Sequence, residues 1–206
     1  MPQRTLPVLL VLLSIGCHRA TLTGEYATVA ADPRRETEVA RERNAEAVAL
    51  MKQENWAGAE KTLKSALAAD VFFGPAHNNL GTVYYHQKKF YLAAWEFQYA
   101  AKLMPNHPEP RNNLGLVFEA VGRLDEAAKW YDEALAIEPD NTQVLGNLAR
   151  TLLLAGHKDD RTRQLLSDLI LKDTRPDWVA WAREQFALIP GPQPQAANPD
   201  PPEPSK

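Results

Sequence analysis

A single cysteine in 206 residues excludes two classes of protein at once. A disulfide-stapled scaffold needs thiols in pairs, and a cysteine-rich zinc module needs several at fixed spacings. The five histidines, His18, His77, His86, His107 and His157, show no HExxH or other ligand spacing. His77 and His107 fall near helix starts of different units and are able to meet. No Ser/His/Asp constellation, phosphate loop or isolated carboxylate pair stands out, so neither an enzyme nor a cofactor nor a metal is expected. Charge of one sign is lacking as well: a net charge of −3 with mixed signs does not suit a surface that neutralises nucleic-acid phosphates. The opening apolar run, Leu6 to Ile15 with Pro7 and Ser14 interrupting, is short. As a helix it would rise about 15 Å, half of the roughly 30 Å of a bilayer core, too little for a membrane span. What is abundant is ordinary. With 45% hydrophobic and 24% charged residues, the chain as a whole is not disordered.

The basic start Met1-Pro2-Gln3-Arg4 followed by that short apolar run has the pattern of a secretory signal peptide over residues 1–16. It runs into Leu13-Ser14-Ile15-Gly16-Cys17, where the only cysteine lies. This ending resembles the lipobox of bacterial lipoproteins, in which a small residue precedes a lipid-modified cysteine. Gly16 and Ile15 fit that pattern, and Ser14 stands where Leu is more usual. The resemblance implies lipidation of Cys17; an ordinary signal with an incidental cysteine is the other reading. Several acyl chains at about 0.8 kcal/mol per buried CH₂ would anchor the chain stably. By resemblance to the sorting pattern of Gram-negative lipoproteins, His18 in place of Asp implies the periplasmic face of the outer membrane. No polybasic second anchor is evident. Residues 17–33 then read as the lipidated cysteine and a flexible tether. At the other end, residues 190–206 hold seven prolines and no apolar run, an extended or polyproline-like tail outside the fold.

Between these ends the sequence repeats itself. Asn78-Asn79-Leu80-Gly81 recurs 34 residues later as Asn112-Asn113-Leu114-Gly115, and Asn147-Leu148-Ala149 follows one step on. Ala93, Phe97 and Ala100 become Ala127, Tyr131 and Ala134, with Ala59, Leu63 and Ala66 one step back. Apolar spacings of 3 and 4 mean helices, two per unit. Turns fall at Gln87-Lys88-Lys89, Gly122-Arg123 and Gly156-His157, and prolines stand at helix starts or between units. Glycine inside a helix costs about 1 kcal/mol against Ala. Its return at Gly81 and Gly115 therefore signals close helix packing, expected against Ala93 and Ala127.

These residues resemble the tetratricopeptide repeat (TPR), a helix-turn-helix unit of this length. The resemblance implies an all-α fold: a right-handed solenoid of about four repeats (40–73, 74–107, 108–141, 142–174), capped by a helix over 176–189, in one folded region, 34–189. Repeat one departs from the pattern at Glu46 and Val71. In repeat four Arg161 falls where Ala is wanted, which predicts a turn one residue longer with Thr162, Leu166, Leu169 and Ile170 inward. Trp178, Trp181, Ala182, Gln185, Phe186 and Ile189 follow the helical spacing of the cap. At the front, Asp32-Pro33 is expected to open a helix running through Met51. The total is nine helices and no strand.

By the same resemblance, the first helix of each repeat lines a concave groove. Asn79, Asn113 and Asn147 then form a row along it, beside a wall of Asn78, Thr82, Tyr85, Asn112, Leu116, Glu119 and Arg150. An amide both donates and accepts, so such a row can bind a peptide backbone without reading its side chains. The other reading is that these asparagines bond to a neighbouring helix. The basic clamp with which some TPR proteins hold a carboxylate is not evident, since its seats hold Asn44, Glu109 and Asn113. In the aromatic crowd of Tyr84, Tyr85, Phe90, Tyr91, Trp95, Phe97 and Tyr99, Tyr91 and Trp95 fall off the core phase. Core packing or partial exposure is the ordinary expectation for them, a convex contact patch the alternative. Asp125 and Lys129 read as an i,i+4 ion pair. The expected function is a membrane-anchored adaptor holding an extended segment of a protein partner, in assembly of a cell-envelope complex. The alternative is a self-associating structural lipoprotein without a peptide ligand.

Overall fold

The computed structural model describes residues 35–191. The signal segment 1–16, Cys17, the tether to residue 33 and the tail from residue 192 onward lie outside the described residues. Among the described residues there are nine helices and no strand. They are α1 (Thr37–Lys52), α2 (Trp56–Ala69), α3 (Gly74–His86), α4 (Phe90–Leu103), α5 (Glu109–Ala120), α6 (Leu124–Ile137), α7 (Thr142–Leu154), α8 (Asp160–Lys172) and α9 (Pro176–Leu188).

The helix starts follow from the residues that stand there. Asn55, Asn141 and Asp159 each accept a hydrogen bond from a backbone N–H of the first turn, at 2.9 to 3.1 Å. Proline opens α3, α5 and α9, where its missing N–H leaves no bond unmade. The start of α1 corrects the expectation. Arg35 and Glu36 are not helical, so the helix begins at Thr37 rather than Asp32-Pro33. The Glu36 N–H instead bonds the Ala69 carbonyl oxygen at 3.1 Å, tying the entry to the end of α2.

Within each repeat the two helices are joined through a left-handed residue: Glu54, Lys88, Gly122 or Gly156, with φ of 57°, 59°, 77° and 87°. Glycine takes that conformation without strain, whereas Glu54 and Lys88 hold it as L-residues. After each, an N–H closes on a carbonyl five residues earlier, as Lys89 does on Tyr84 at 2.8 Å, completing the helix end.

Each helix packs on the next, and α1, α3, α5 and α7 also touch in succession, so the first helices make one continuous layer. The second helices fill the core with Ala59, Leu63 and Ala66, then Ala93, Phe97 and Ala100, then Ala127, Tyr131 and Ala134. In the fourth repeat burial shifts by one residue to Thr162, followed by Leu166 and Leu169 fully buried and Ile170 half-buried.

The helical glycines meet different partners from those expected. A methyl group at Gly81 would sit 2.7 Å from the Phe97 ring, and one at Gly115 would overlap the Tyr131 ring. The close approach therefore admits an aromatic ring of the second helix, one turn beyond Ala93 or Ala127. The Asp125–Lys129 pair is also corrected: the basic side chain facing Asp125 is His157, its Nε2 at 3.9 Å.

Candidate functional site

The asparagines of the first helices occupy two registers, each repeating every 34 residues: Asn44, Asn78 and Asn112, and Asn79, Asn113 and Asn147. Hydrogen bonds run from the second register back to the first, across the repeat boundary. Asn79 donates to Asn44 Oδ1 at 2.8 Å, Asn113 to Asn78 Oδ1 at 3.1 Å, and Asn147 to Asn112 Oδ1 at 2.9 Å. The row is thus a ladder that locks each repeat to the next. Asn112 and Asn147 are buried; Asn78, Asn79 and Asn113 are half-buried. Each rung consumes one N–H and one carbonyl oxygen, so the remaining groups of Asn44, Asn78 and Asn79 are open to a ligand or to water. Buried polar side-chain atoms without a partner lie elsewhere among the described residues, at Gln87 Oε1 and Arg150 Nε.

Two depressions flank Asn113. One, of about 110 Å³, is lined by Thr82, Tyr85, His86, Phe97, Asn113 and Leu116. The other, of about 170 Å³, includes Asn78, Glu109, Asn112, Asn113 and Gln143. Of the expected wall, the structure brings Asn78, Asn112, Thr82, Tyr85 and Leu116 to this row. Thr82 spends its hydroxyl on the Asn78 carbonyl oxygen, at 3.1 Å.

Glu119 and Arg150 are engaged with each other instead of presenting free charge. The Glu119 carboxylate accepts from the Tyr131 hydroxyl at 3.1 Å, the Thr151 hydroxyl at 3.0 Å and Arg150 Nη2 at 3.0 Å. It joins α5, α6 and α7. Burial, reinforced by the adjacent Glu119 charge, pushes the Tyr131 phenol far above its ordinary value, so the ring stays neutral and donating.

The two histidines singled out are separately occupied. His77 is buried, with Nδ1 2.6 Å from Glu96 Oε2 and Nε2 2.8 Å from the Val71 carbonyl oxygen, so neither ring nitrogen is free for a metal. His107 is exposed and faces Glu109 at 3.7 Å. Among the described residues no group of three or more His, Cys, Asp or Glu is placed to hold a metal ion.

Away from the row, Tyr91 is 81% exposed and Trp95 62%, so of core packing and partial exposure it is exposure that holds. With Phe90, Ala94, Phe118 and Val121 they line a cavity of about 460 Å³ between α4 and α5. A further cavity, of about 270 Å³, is formed by Arg150, Asp177, Trp178 and Trp181 where the row meets the last helix. Sequence reasoning placed Trp178 and Trp181 in a cap and missed this cavity, together with Asn44 as the first rung. The 34-residue return of Asn44, Asn78 and Asn112 was the signal available for the rung.

Residues 44–109 and 108–141 match models of the tetratricopeptide repeat. The fold is a TPR array. It is similar over part of its length to tetratricopeptide repeat protein 7B of Homo sapiens, 31% identical over 109 residues, covering 48% of this chain and 12% of that protein. The chain thus spans about a tenth of the length of the curated relatives it matches. Among solved structures, Pseudomonas aeruginosa pilF superposes with a TM-score of 0.63 at 20% identity, covering 75% of this chain and 74% of that one. YrrB, titled a TPR protein with an unusual peptide-binding site, gives 0.60 at 21%, covering 72% and 76%. The first TPR domain of Spaghetti (RPAP3), bound to the HSP90 peptide SRMEEVD, gives 0.57 at 21%, covering 60% and 98%. A TPR array of this kind is a protein-interaction scaffold.

Proposed function

We propose that this chain is a TPR adaptor that holds an extended segment of a protein partner along the first-helix row, on a membrane anchored through Cys17. The observation that carries the reading is the asparagine ladder with its unspent amide groups, flanked by depressions on both sides of Asn113. Open amides at one-repeat intervals suit a peptide main chain, which offers donors and acceptors at every residue. The bound peptide of the RPAP3 neighbour is acidic, whereas Asn44, Glu109 and Asn113 stand here at the seats of a basic clamp, so the favoured ligand is recognised through its backbone. The lipobox-like Leu13-Ser14-Ile15-Gly16-Cys17 supports an outer-membrane anchor facing the periplasm, and with it a role in envelope assembly.

Two measurements test the two halves. Thr82→Arg together with Gln143→Arg would fill the depressions without touching a rung. Photo-crosslinking from Glu109 in cells should then lose its adduct while the melting temperature holds; an adduct that persists removes the groove. A clickable palmitate analogue should label the wild-type chain and not Cys17→Ser, and an unlabelled wild type overturns the anchor.

Self-association is the second reading, favoured by the exposure of Tyr91 and Trp95 on α4. Light scattering of the Cys17→Ser chain should report a monomer. A dimer that Trp95→Ser dissolves would reverse the order of the two readings.

A further inference from the structure

The cavity at the end of the row is built from groups that suit proline. Trp178 and Trp181 stand on the first turns of α9 with ring centroids 5.5 Å apart and planes at 77°, an open aromatic corner. Arg150 and Arg175 place their guanidinium carbons 6.0 and 5.0 Å from the Trp178 centroid, and Asp177 closes the rim. Polyproline segments dock on aromatic-lined grooves because the rings meet flat, apolar pyrrolidine faces, and because a preformed helix loses little entropy on binding. Both arginines are already paired, Arg150 with Glu119 and Arg175 with Asp173, so the corner reads the proline rings rather than charges beside them.

The chain carries such a segment in its sequence beyond α9. Pro199-Asp200-Pro201-Pro202-Glu203-Pro204 places prolines three residues apart twice, Pro199 with Pro202 and Pro201 with Pro204, the period of a polyproline helix, with Asp200 and Glu203 between them. Its point of departure is fixed. Ile189 is buried, and Arg163 Nη1 donates to the carbonyl oxygens of Phe186 and Ile189 at 3.2 and 2.7 Å, holding the end of α9. From there back to Trp181 and Trp178 is about 12 to 17 Å along the helix. Residues 190–198 reach up to about 28 Å when extended, enough to turn and lie antiparallel to α9.

We propose that Trp178 and Trp181 form a proline-recognition site whose occupant is the chain's own segment 199–204. The prolines fill the corner between the two indoles.

The test uses the full chain and its five tryptophans, read as indole N–H resonances by NMR. A chain ending at Gly191 should shift the Trp178 and Trp181 signals while those of Trp56, Trp95 and Trp130 stay in place. Adding the synthetic peptide 192–206 in trans should restore them, and the same peptide with Ala at all four prolines of 199–204 should not. Identical Trp178 and Trp181 signals with and without the tail overturn the proposal, as does a peptide that moves Trp95 instead. A tail effect that appears only as protein concentration rises places the segment on a second copy and overturns the intramolecular site. None of these readouts depends on whether a partner peptide binds the asparagine row.

Discussion

Asn147 donates to Asn112 across 35 residues, at 2.9 Å, with both side chains buried. It is the innermost rung of the ladder, and its counterpart one repeat further does not exist. Gly146 takes the seat that Asn44, Asn78 and Asn112 hold in earlier repeats, and a methyl group there would lie 2.7 Å from the Trp178 ring. The polar ladder therefore ends where the capping helix lays an indole on a glycine. An array needs such an end, because the last repeat has no following repeat to donate a rung to it.

The rung gives the first prediction. Asn147→Ala leaves the buried Asn112 carbonyl oxygen without its donor, a loss of about 1–3 kcal/mol. At roughly 2–4 °C per kcal/mol for a domain of this size, the melting temperature should fall by several degrees. Asn79→Ala, on a half-buried rung, should lose less, about 0.5–1.5 kcal/mol. Calorimetry of the two variants checks the order, and an Asn147→Ala chain that melts with the wild type would show the rung to be without structural weight.

Glycines of two kinds should lose stability on substitution for different reasons. Helix propensity alone would favour Gly115→Ala by about 1 kcal/mol. The Tyr131 ring occupies that space and is held by its hydroxyl on Glu119, so the substitution should destabilise, by about 1–3 kcal/mol. Gly122→Ala meets nothing within 4 Å, so its loss comes from the backbone, about 1 kcal/mol. Replacing Tyr131 with Leu should rescue Gly115→Ala in part and leave Gly122→Ala unchanged; denaturant midpoints of the double variants separate the two causes.

Lys88 offers the converse. It holds φ of 59° with an exposed side chain. Lys88→Gly should relieve a left-handed strain of about 1–2 kcal/mol, offset in part by the extra freedom glycine has when unfolded. A net gain of about 0.5 kcal/mol is expected in urea denaturation. A lower midpoint than wild type would show that the lysine side chain contributes more than its backbone costs.

Glu60 sets an acid limit. Its hydrogen bond from Lys64, at 2.6 Å, is the main reason that its carboxyl titrates at about 2 instead of the usual 4.5. Gln87 and the Lys64 and Lys89 charges add to the effect, and burial opposes it. A carboxylate depressed in the folded state stabilises fully above its unfolded value, and that stabilisation drains away as pH falls from 4.5 toward 2. Urea midpoints measured across this window should decline more steeply for the wild type than for Glu60→Gln. Parallel curves would exclude Glu60 as a source of the acid sensitivity.

Some of this architecture is written along the chain. The repeat period, the helix pairs, the positions of the turns and the shift to Thr162 in the fourth repeat all follow from residues within one unit. They depend on helix periodicity and turn chemistry, which are local. The asparagine registers were visible as well, since both recur at the repeat length.

What the tertiary structure decided is which residues of neighbouring units meet. Each repeat is displaced from the last, so Asn79 finds Asn44 rather than an equivalent seat, while inside one repeat the packing of α3 on α4 sets Gly81 against Phe97 rather than Ala93. Packing within and between repeats gathers Tyr131, Arg150 and Thr151 on Glu119. Residue type and spacing carry the helix and its phase. The rotation between packed helices, set by side-chain volume across the whole interface, selects the partners.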